Sequence, residues 1–511
     1  MRKAIYSDLF LIVLLFFLSI TIQIIFLNPP ILSDQMEYYF TAVRFPHLPE
    51  QPNHWSMRIG LIIPVAILYR IFGNAEISYY SVPLVSMAVF SISIYLIGCR
   101  LFNRRVGLIA ALWTIFIPSL MLESGHLLPD VPATACLTTG FALIMCIKKT
   151  GKNRKISFTE RKRQWLFFLA GILFGWSYLT KEYMAVLFLL TPLIFWTLDI
   201  PYRHLISIIT GMVLMFGFEL IIGYIYYQNP LIRFITASPR ETWGNIEMDV
   251  SRIVSFLPVL LKRYGGEGTT IISVIAVISF VFQGIKKDKR YIFLFLWAMI
   301  FYSFFTVVGL LPVIFSWKDI VLIRLHKFRY WIPILPPLII GGVAAVDNYL
   351  GKLLQKLKKK QPKNDILVFM IMAALCTATG IRGVLSIRDH PDLIRSGADH
   401  YLELRAYLKE NSNPKDVIWI DRDNNRAFER ILPMYTHDFW GSLVWEGGFK
   451  YLNTNGQYLR SEEINEGMVI VDRDFYNAKL YEIPEYLDEI PKNWKILFES
   501  ENHMIALYSV E

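Results

Sequence analysis

Apolar runs about as long as a membrane is thick recur along this 511-residue chain, and they constrain its fold more than any other feature. A helix needs about 20 predominantly apolar residues to cross a hydrocarbon core of roughly 30 Å. Hydrophobic residues make up 54% of the chain, more than a water-soluble domain usually carries. The sequence therefore predicts a polytopic α-helical membrane protein with about eleven transmembrane helices. Their approximate positions are 8–28, 79–99, 106–122, 131–147, 165–180, 184–199, 205–227, 269–285, 291–311, 330–350 and 366–385.

The basic residues are concentrated in alternate loops between these runs. Membrane proteins keep lysine and arginine mainly on the cytoplasmic side, so these loops are predicted to be cytoplasmic. The net charge of +10 is thereby explained by topology and by contact with the lipid bilayer, and no nucleic-acid partner is expected. The basic loops are Arg100–Arg105, Lys148–Arg163, Lys286–Arg290 and Lys352–Lys363.

The apolar segment Ile59–Phe72 decides the topology of the outer side. At about 14 residues it is too short for a full span and favours a helix at the membrane surface. Counting it as a span would move every later basic loop outside. We therefore expect residues 28–74 to form one external loop of a multi-pass cell-membrane protein.

From about residue 387 the apolar runs end and charged residues become common. Helical and strand-like patterns in this tail predict a small α/β domain, external by span parity. The expected organisation is a transmembrane domain over residues 1–386 and an extracytoplasmic soluble α/β domain over residues 387–511. The helical pattern covers 397–411, and the strand patterns cover 417–420, 468–471, 494–498 and 504–508.

Acidic residues of the first external loop are the leading candidates for catalysis. Asp34 and Tyr38 are four residues apart, so they share one face of a predicted short helix. A carboxylate placed there near the membrane can accept a proton, although the same residue type is also a common helix cap. Glu37, one turn along, can tune Asp34 or share a cation with it.

A second acidic candidate, Asp130, stands at the start of a predicted span. The sequence His126-Leu-Leu-Pro-Asp130-Val-Pro is compatible with ordinary helix capping. It is equally compatible with a second carboxylate that holds an acceptor or a cation. His126 and Tyr38 are candidate contacts to the acceptor or to a sugar.

Cationic residues on the outer side complete the candidate site. Lys181 lies between two spans in Thr180-Lys181-Glu182, where a lysine either reaches the headgroups or binds an anion. Arg329-Tyr330 precedes a span and runs against the positive-inside trend, and Arg58 has the same character. An arginine in such a place can bind a phosphate through two nitrogens.

In these motifs the chain resembles the GT-C glycosyltransferases, especially the branch of protein O-mannosyltransferases and lipid A aminoarabinose transferases. The matching features occur in the same order over about residues 1–350, and the tail is not covered. They are Asp34 with Tyr38 and Ala42, Arg58 through Phe72-Gly73, Leu101 to Arg105, Pro129-Asp130-Val131-Pro132, Gly171–Gly175 leading to Thr180-Lys181, and Arg329-Tyr330 with Pro333 and Pro336.

The resemblance implies a membrane glycosyltransferase that uses a polyprenyl-phosphate-linked sugar outside the cytoplasm and inverts the anomeric carbon. It implies that Asp34 is the base and that Lys181 and Arg329, with Tyr330 and Arg58, bind the donor phosphate. The acceptor is a glycan, a lipid or a protein. Many relatives have a second acid directly after the aspartate, whereas this chain has Gln35. A divalent cation, if one is used, would therefore rely on Asp34, Glu37 and Asp130.

Two other classes of protein fit parts of the same sequence. A transporter or lipid flippase usually places ionisable residues near the middle of its spans, and here Glu219 is the main example. Flux without sugar transfer in liposomes would identify that class. An assembly subunit would use the tail as a binding module and would tolerate changes at Asp34 and Asp130.

Overall fold

The computed structural model describes residues 2–27, 34–73, 75–147, 160–236, 250–314, 327–357, 363–388, 399–411, 413, 416–420, 449–454, 457–473 and 489–510. Within these ranges each predicted apolar run lies largely in helices, and the run at 106–122 contains two of them. The predicted fold class, a polytopic helical membrane protein with a small C-terminal α/β part, is confirmed. The helices are α1 Arg2–Ile25, α2 Asp34–Arg44, α3 Ile59–Phe72, α4 Glu76–Leu101, α5 Arg104–Ile115, α6 Pro118–Glu123, α7 Asp130–Ile147, α8 Glu160–Thr180, α9 Leu187–Thr197, α10 Arg203–Tyr227, α11 Ile232–Thr236, α12 Val250–Tyr264, α13 Gly266–Ile285, α14 Lys289–Ile314, α15 Leu335–Leu357, α16 Lys363–Arg388 and α17 Asp399–Asn411.

Seven helical segments among the described residues are long and apolar enough to cross a membrane. Three further apolar helices are shorter, and one of these is α3, which the sequence predicted to be too short for a span. The number of about eleven spans therefore stays a prediction. The seven segments are Asp8–Ile25, Glu76–Leu101, Asp130–Ile147, Arg203–Tyr227, Gly266–Ile285, Lys289–Leu311 and Phe328–Leu350.

Two compact units make up the chain. The first contains Met1–Leu27, Leu48–Leu61 and Val82–Ile394, and the second contains Asn28–His47, Ile62–Ser81 and Arg395–Glu511. The units alternate along the sequence because two early segments group with the tail. The predicted division at residue 387 stays a prediction.

Within the first unit, α8 and α10 approach to backbone contact at glycines. A Cβ atom at Gly171 would lie 2.1 Å from the carbonyl oxygen of Ile208, and one at Gly211 would lie 2.5 Å from that of Phe168. Small residues allow such approach between membrane helices, where apolar burial gives little driving force. The contact fixes α8, whose carboxyl end leads into Lys181.

Large apolar side chains on the outward faces, such as Ile206, Phe282 and Phe10, remain exposed, as a lipid-facing surface requires.

The predicted span at 106–122 is two helices, α5 and α6. The residue Pro118 starts α6, because proline lacks the N–H that a continuous helix would need there. The start of α5 is capped by Asn103, whose Oδ1 accepts a hydrogen bond of 2.9 Å from the Val106 N–H.

A five-stranded sheet lies in the second unit, with the strand order β2-β1-β5-β7-β6. Strand β1 is parallel to β2 and β5, and β7 is antiparallel to β5 and β6. The four predicted strands and the predicted helix, α17, are confirmed. Strand β2 was missed because three residues are too few to establish a strand pattern. The strands are β1 Ile418–Ile420, β2 Phe449–Tyr451, β3 Asn453–Thr454, β4 Gln457–Tyr458, β5 Gly467–Asp472, β6 Trp494–Glu499 and β7 Ile505–Val510.

The side chains between the strands explain the stability of this sheet. Trp419, Val469, Val471 and Ala506 are buried together with Tyr508 in one cluster. The central strands β5 and β7 are buried along nearly their whole length, whereas β6 is half exposed. A strand buried on both faces reads as a continuous apolar run, which is why β5 could be predicted.

Candidate functional site

A buried carboxylate, Asp130, lies at the centre of the first unit's polar residues. It begins α7, where the positive end of the helix dipole favours a negative charge, and Pro132 in the first turn costs no hydrogen bond. Tyr183 Oη donates a hydrogen bond of 3.0 Å to Asp130 Oδ1, and Lys181 Nζ lies 3.6 Å from the same oxygen. Arg329 Nε lies 4.0 Å from Oδ2. Only 1% of Asp130 is exposed, so its charge depends on these partners.

Lys181 occupies a break between helices. The α8 helix ends at Thr180, and a 3₁₀ helix at Glu182–Val186 follows, so Lys181 has an extended backbone. Its ammonium lies 4.8 Å from the centre of the Tyr330 ring and 5.7 Å from that of Tyr183. Aromatic faces stabilise a cation that has lost its water. Lys181 is therefore a buried cation facing one carboxylate and two rings.

Arg329 and Tyr330 enter the site on a second break. They lie in a 3₁₀ helix at Phe328–Ile334 that precedes α15, and Pro333 within it limits regular α-helical hydrogen bonding. The structure thus brings together four residues that the sequence predicted as site residues. These are Asp130, Lys181, Arg329 and Tyr330.

His126 and Glu123 lie in the connection between α6 and α7. Burial, assisted by the positive charge of Arg329, lowers the pKa of His126 to about 4. The imidazole is therefore neutral at neutral pH and can accept or donate a hydrogen bond. Burial raises the pKa of Glu123, and the Arg329 charge opposes this shift. Glu123 was missed by the sequence reasoning, although it stands three residues before His126.

A second group of charges connects Arg58 to α10 and α11. Arg58 Nε and Nη2 donate hydrogen bonds of 2.9 and 3.3 Å to the two carboxylate oxygens of Glu182. Arg233 Nη2 lies 3.7 Å from the same carboxylate and also contacts Glu219. Burial alone would lower the pKa of Arg58. The negative charge of the Glu182 carboxylate has the larger effect, so the pKa of Arg58 is raised.

The sequence indicated only part of this second group. Arg58 was predicted as a cation for donor phosphate, and Glu219 was recognised as a charge inside a span. The sequence assigned no role to Glu182, which follows Lys181, and it did not identify Arg233 as a member of the group. The available signal for Arg233 was an arginine between the predicted spans 205–227 and 269–285, on the side opposite the basic loops, which is the same signal that identified Arg329.

Asp34, Glu37 and Tyr38 lie in the second unit. Asp34 is the first residue of α2 and is half-buried, and Tyr38, on the same face, is only 1% exposed. Gln35, which stands where many relatives have an acid, is buried and accepts a hydrogen bond from the hydroxyl of Tyr79. Gln35 thus anchors the first turn of α2. The catalytic role of Asp34 stays a prediction.

Metal binding receives no geometric support within the described ranges. Among those residues, no group of three or more His, Cys, Asp and Glu side chains is placed to hold an ion. The ligand set of Asp34, Glu37 and Asp130 stays a prediction.

Comparison with known proteins shows which sequences and folds the chain is similar to. Residues 62–226 match the sequence model of the family described as dolichyl-phosphate-mannose-protein mannosyltransferase. The structure of ArnT from Cupriavidus metallidurans in the apo state aligns with a TM-score of 0.57 and 11% identity, over 99% of this chain and 98% of that one. The same enzyme bound to undecaprenyl phosphate aligns with a TM-score of 0.55 and 12% identity, with the same coverage.

An oligosaccharyltransferase shares the fold as well. The apo enzyme from Archaeoglobus fulgidus aligns with a TM-score of 0.53 and 11% identity, over 99% of this chain and 74% of that one. No curated protein matches the chain in sequence. The chain thus has the fold of the GT-C glycosyltransferases, and the predicted resemblance to this class is confirmed.

Proposed function

We propose that this protein is an integral membrane glycosyltransferase that moves a sugar from a polyprenyl-phosphate carrier to an acceptor outside the cytoplasm. The observation that carries the proposal is the buried group of Asp130, Lys181 and Arg329. In this group the two cations that the sequence predicts as ligands of the donor phosphate lie against one buried carboxylate. A lipid phosphate is the natural anion where helices end at a membrane surface.

The distribution of charge favours Lys181 and Arg329 as the phosphate ligands. Arg58 is engaged by both oxygens of Glu182, so its charge is already balanced. A bidentate arginine pair of this kind is strong and geometrically specific. Arg58 is therefore assigned to support the site, whereas the sequence had placed it among the phosphate ligands.

The reaction needs a base and a stabilised leaving group. Asp34 takes the proton of the acceptor hydroxyl, whose oxygen attacks the anomeric carbon from the face opposite the phosphate. The bond between that carbon and the phosphate oxygen breaks, and its electron pair leaves with the polyprenyl phosphate. Lys181 and Arg329 stabilise the charge that develops there, and the attack inverts the anomeric carbon.

The other predicted site residues have supporting roles in this proposal. Asp130 and Tyr183 hold Lys181 in place, and Tyr330 covers its ammonium. Neutral His126 is suited to a hydrogen bond with a hydroxyl of the sugar or the acceptor. Glu37 and Tyr38 share the first two turns of α2 with Asp34 and are assigned to acceptor binding.

The comparisons support the substrate classes. ArnT from Cupriavidus metallidurans has been seen with undecaprenyl phosphate bound, which is the carrier expected to be released here. The Archaeoglobus fulgidus enzyme has been seen tethered to an acceptor peptide, which supports a protein acceptor beside a glycan or a lipid.

The proposal is tested with purified protein in liposomes supplied with polyprenyl-phosphate sugars and cell-envelope acceptors. We expect the wild type to release polyprenyl phosphate and Asp34→Asn to be slower by about 10²–10⁴-fold, the usual contribution of a general base. Glu50→Gln, at an exposed acid of the same loop, is the matched control and should keep full activity. An Asp34→Asn variant as active as the wild type would contradict the assignment, and lipid flux without transfer would favour the flippase alternative.

A further inference from the structure

The second charge group of the first unit does more than bury Arg58. It contains two arginines and two glutamates, Arg58, Arg233, Glu182 and Glu219, and is therefore electrically neutral. Arg233 is 3% exposed and Glu219 is 1% exposed. Buried ion pairs usually stabilise a fold little more than apolar side chains of similar size would. A purpose other than stability is therefore the better explanation for four charges here.

The contacts of Arg233 enclose the segment that carries Lys181. Its Nη2 donates a hydrogen bond of 2.9 Å to the carbonyl oxygen of Tyr178, and its guanidinium lies 4.7 Å from the centre of the Tyr178 ring. The same Nη2 lies 3.7 Å from the Glu182 carboxylate. Arg233 therefore contacts the chain three residues before Lys181 and one residue after it.

The start of α3 holds this segment from another side. Trp176 Nε1 donates a hydrogen bond of 3.0 Å to the Gly60 carbonyl oxygen, and a Cβ at Gly60 would lie 2.6 Å from the backbone nitrogen of Thr180. Arg58, two residues before Gly60, donates a hydrogen bond to the Glu182 carboxylate. The short segment around Lys181 is thus fixed by α3, α10 and α11.

We infer that the neutral group of Arg58, Glu182, Arg233 and Glu219 is a positioning device that sets Lys181 for the donor phosphate. The inference rests on the glycosyltransferase function proposed above. Lys181 has an extended backbone between two helices, and its N–H and carbonyl oxygen bond to the two helix ends, so the direction of its side chain depends on how this short segment is held. Because the four charges cancel, the group orients Lys181 without adding net charge beside Asp130. Glu219 and Arg233 are then positioning residues, and neither touches the donor.

A variant with both distal charges removed separates positioning from stability. Glu219→Gln alone would remove one of the two carboxylates that face the buried Arg233, and the loss of this negative charge risks unfolding. The double variant Glu219→Gln/Arg233→Met removes the pair together and should fold, because replacing a buried pair as a whole is often tolerated. Asp347→Asn, which breaks a 2.9 Å ion pair with Arg105 elsewhere in the first unit, is the matched control.

The experiment measures the binding of undecaprenyl phosphate to the full-length protein in nanodiscs, together with the thermal unfolding midpoint. We expect the double variant to keep its midpoint and to bind at least about tenfold more weakly, as misplacement of a ligating group by about 1 Å can cost 100-fold. Asp347→Asn should bind as the wild type does. Glu219→Asp, which keeps a carboxylate for Arg233, should bind nearly as tightly as the wild type.

Three outcomes decide between the ideas. Normal binding by a stable double variant would overturn the positioning role. If the double variant and Asp347→Asn both bound more weakly, and only as far as their unfolding midpoints fell, the charge group would have a structural role and the positioning role would also be overturned. Absence of binding by the wild type, with Lys181→Met behaving identically, would instead reject the proposed function on which the inference rests.

Discussion

Glu182 determines how the cations of the first unit can be used. It lies next to Lys181 in sequence, but it pairs with Arg58 and Arg233. Lys181 turns to Asp130 and to the rings of Tyr183 and Tyr330. Adjacent residues with opposite charges thus serve two separate groups. One group is neutral and contacts the backbone beside Lys181, and the other contains the cations that are proposed to bind the donor phosphate.

The neutral state of His126 makes a pH-dependent prediction. Its pKa is about 4 in the folded protein, below the ordinary value of 6.5, so the unfolded chain binds the proton first as the pH falls. Stability should therefore fall as the pH drops below about 6.5, and this contribution is complete near pH 4. Between pH 7 and pH 5 the expected loss from this residue is about 2 kcal/mol.

Thermal unfolding midpoints in detergent at pH 7 and pH 5 measure this effect. His126→Gln should be less sensitive to pH than the wild type. His47→Gln, at an exposed histidine, should behave as the wild type does. Equal pH sensitivity of wild type and His126→Gln would mean that His126 is charged or solvated in the folded protein.

At the scale of the elements, the helices could be predicted because their apolar runs must be as long as the membrane requires. The runs at 131–147 and 205–227 correspond to α7 and α10 within two residues. The 106–122 run was wrongly joined because hydropathy does not register the missing N–H of Pro118. The breaks around Lys181 and Arg329 were located as span ends, but their 3₁₀ geometry depends on packing that no local pattern reveals.

The attachment of α2 gives a prediction at the same scale. Tyr79→Phe removes the hydroxyl that donates to Gln35 and leaves a buried amide oxygen without that donor. The ring contact with Tyr39, at 5.9 Å between centres, can persist. We expect a loss of about 1–3 kcal/mol of stability, the cost of an unsatisfied buried group, and a slower reaction because Asp34 shares the first turn of α2.

Thermal unfolding and the liposome transfer assay measure both effects. Tyr95→Phe is the matched control on α4, since it removes a hydroxyl that donates to the exposed Asp8 at 3.1 Å. It should change stability less and leave transfer intact. If Tyr79→Phe were as stable and active as the wild type, Gln35 would not be the anchor of α2.

At the scale of the molecule, the sequence predicted the class of fold and most of the cations but not the pairing of the charges. Composition and span parity can be read from the sequence alone, because neither depends on which side chains contact each other in the folded protein. The contacts of Arg233 with Glu182 and Glu219 join α11 to two other segments. Pairings between segments distant in sequence depend on helix packing, including the close approach of α8 and α10 at Gly171 and Gly211.

The topology of the tail is the prediction that belongs to the whole molecule. Span parity places residues 387–511 outside the cytoplasm and the loop at Lys286–Arg290 inside. We introduce single cysteines by Glu501→Cys in the tail and Lys286→Cys in the loop, both at exposed positions. The native cysteines are half-buried or buried, so the unmodified protein supplies the background. In intact cells a membrane-impermeant maleimide should label Glu501→Cys, while Lys286→Cys should react only after permeabilisation. The opposite pattern would place the tail in the cytoplasm and would invert the proposed side of the reaction, because Asp34 and the tail are separated by an even number of predicted spans.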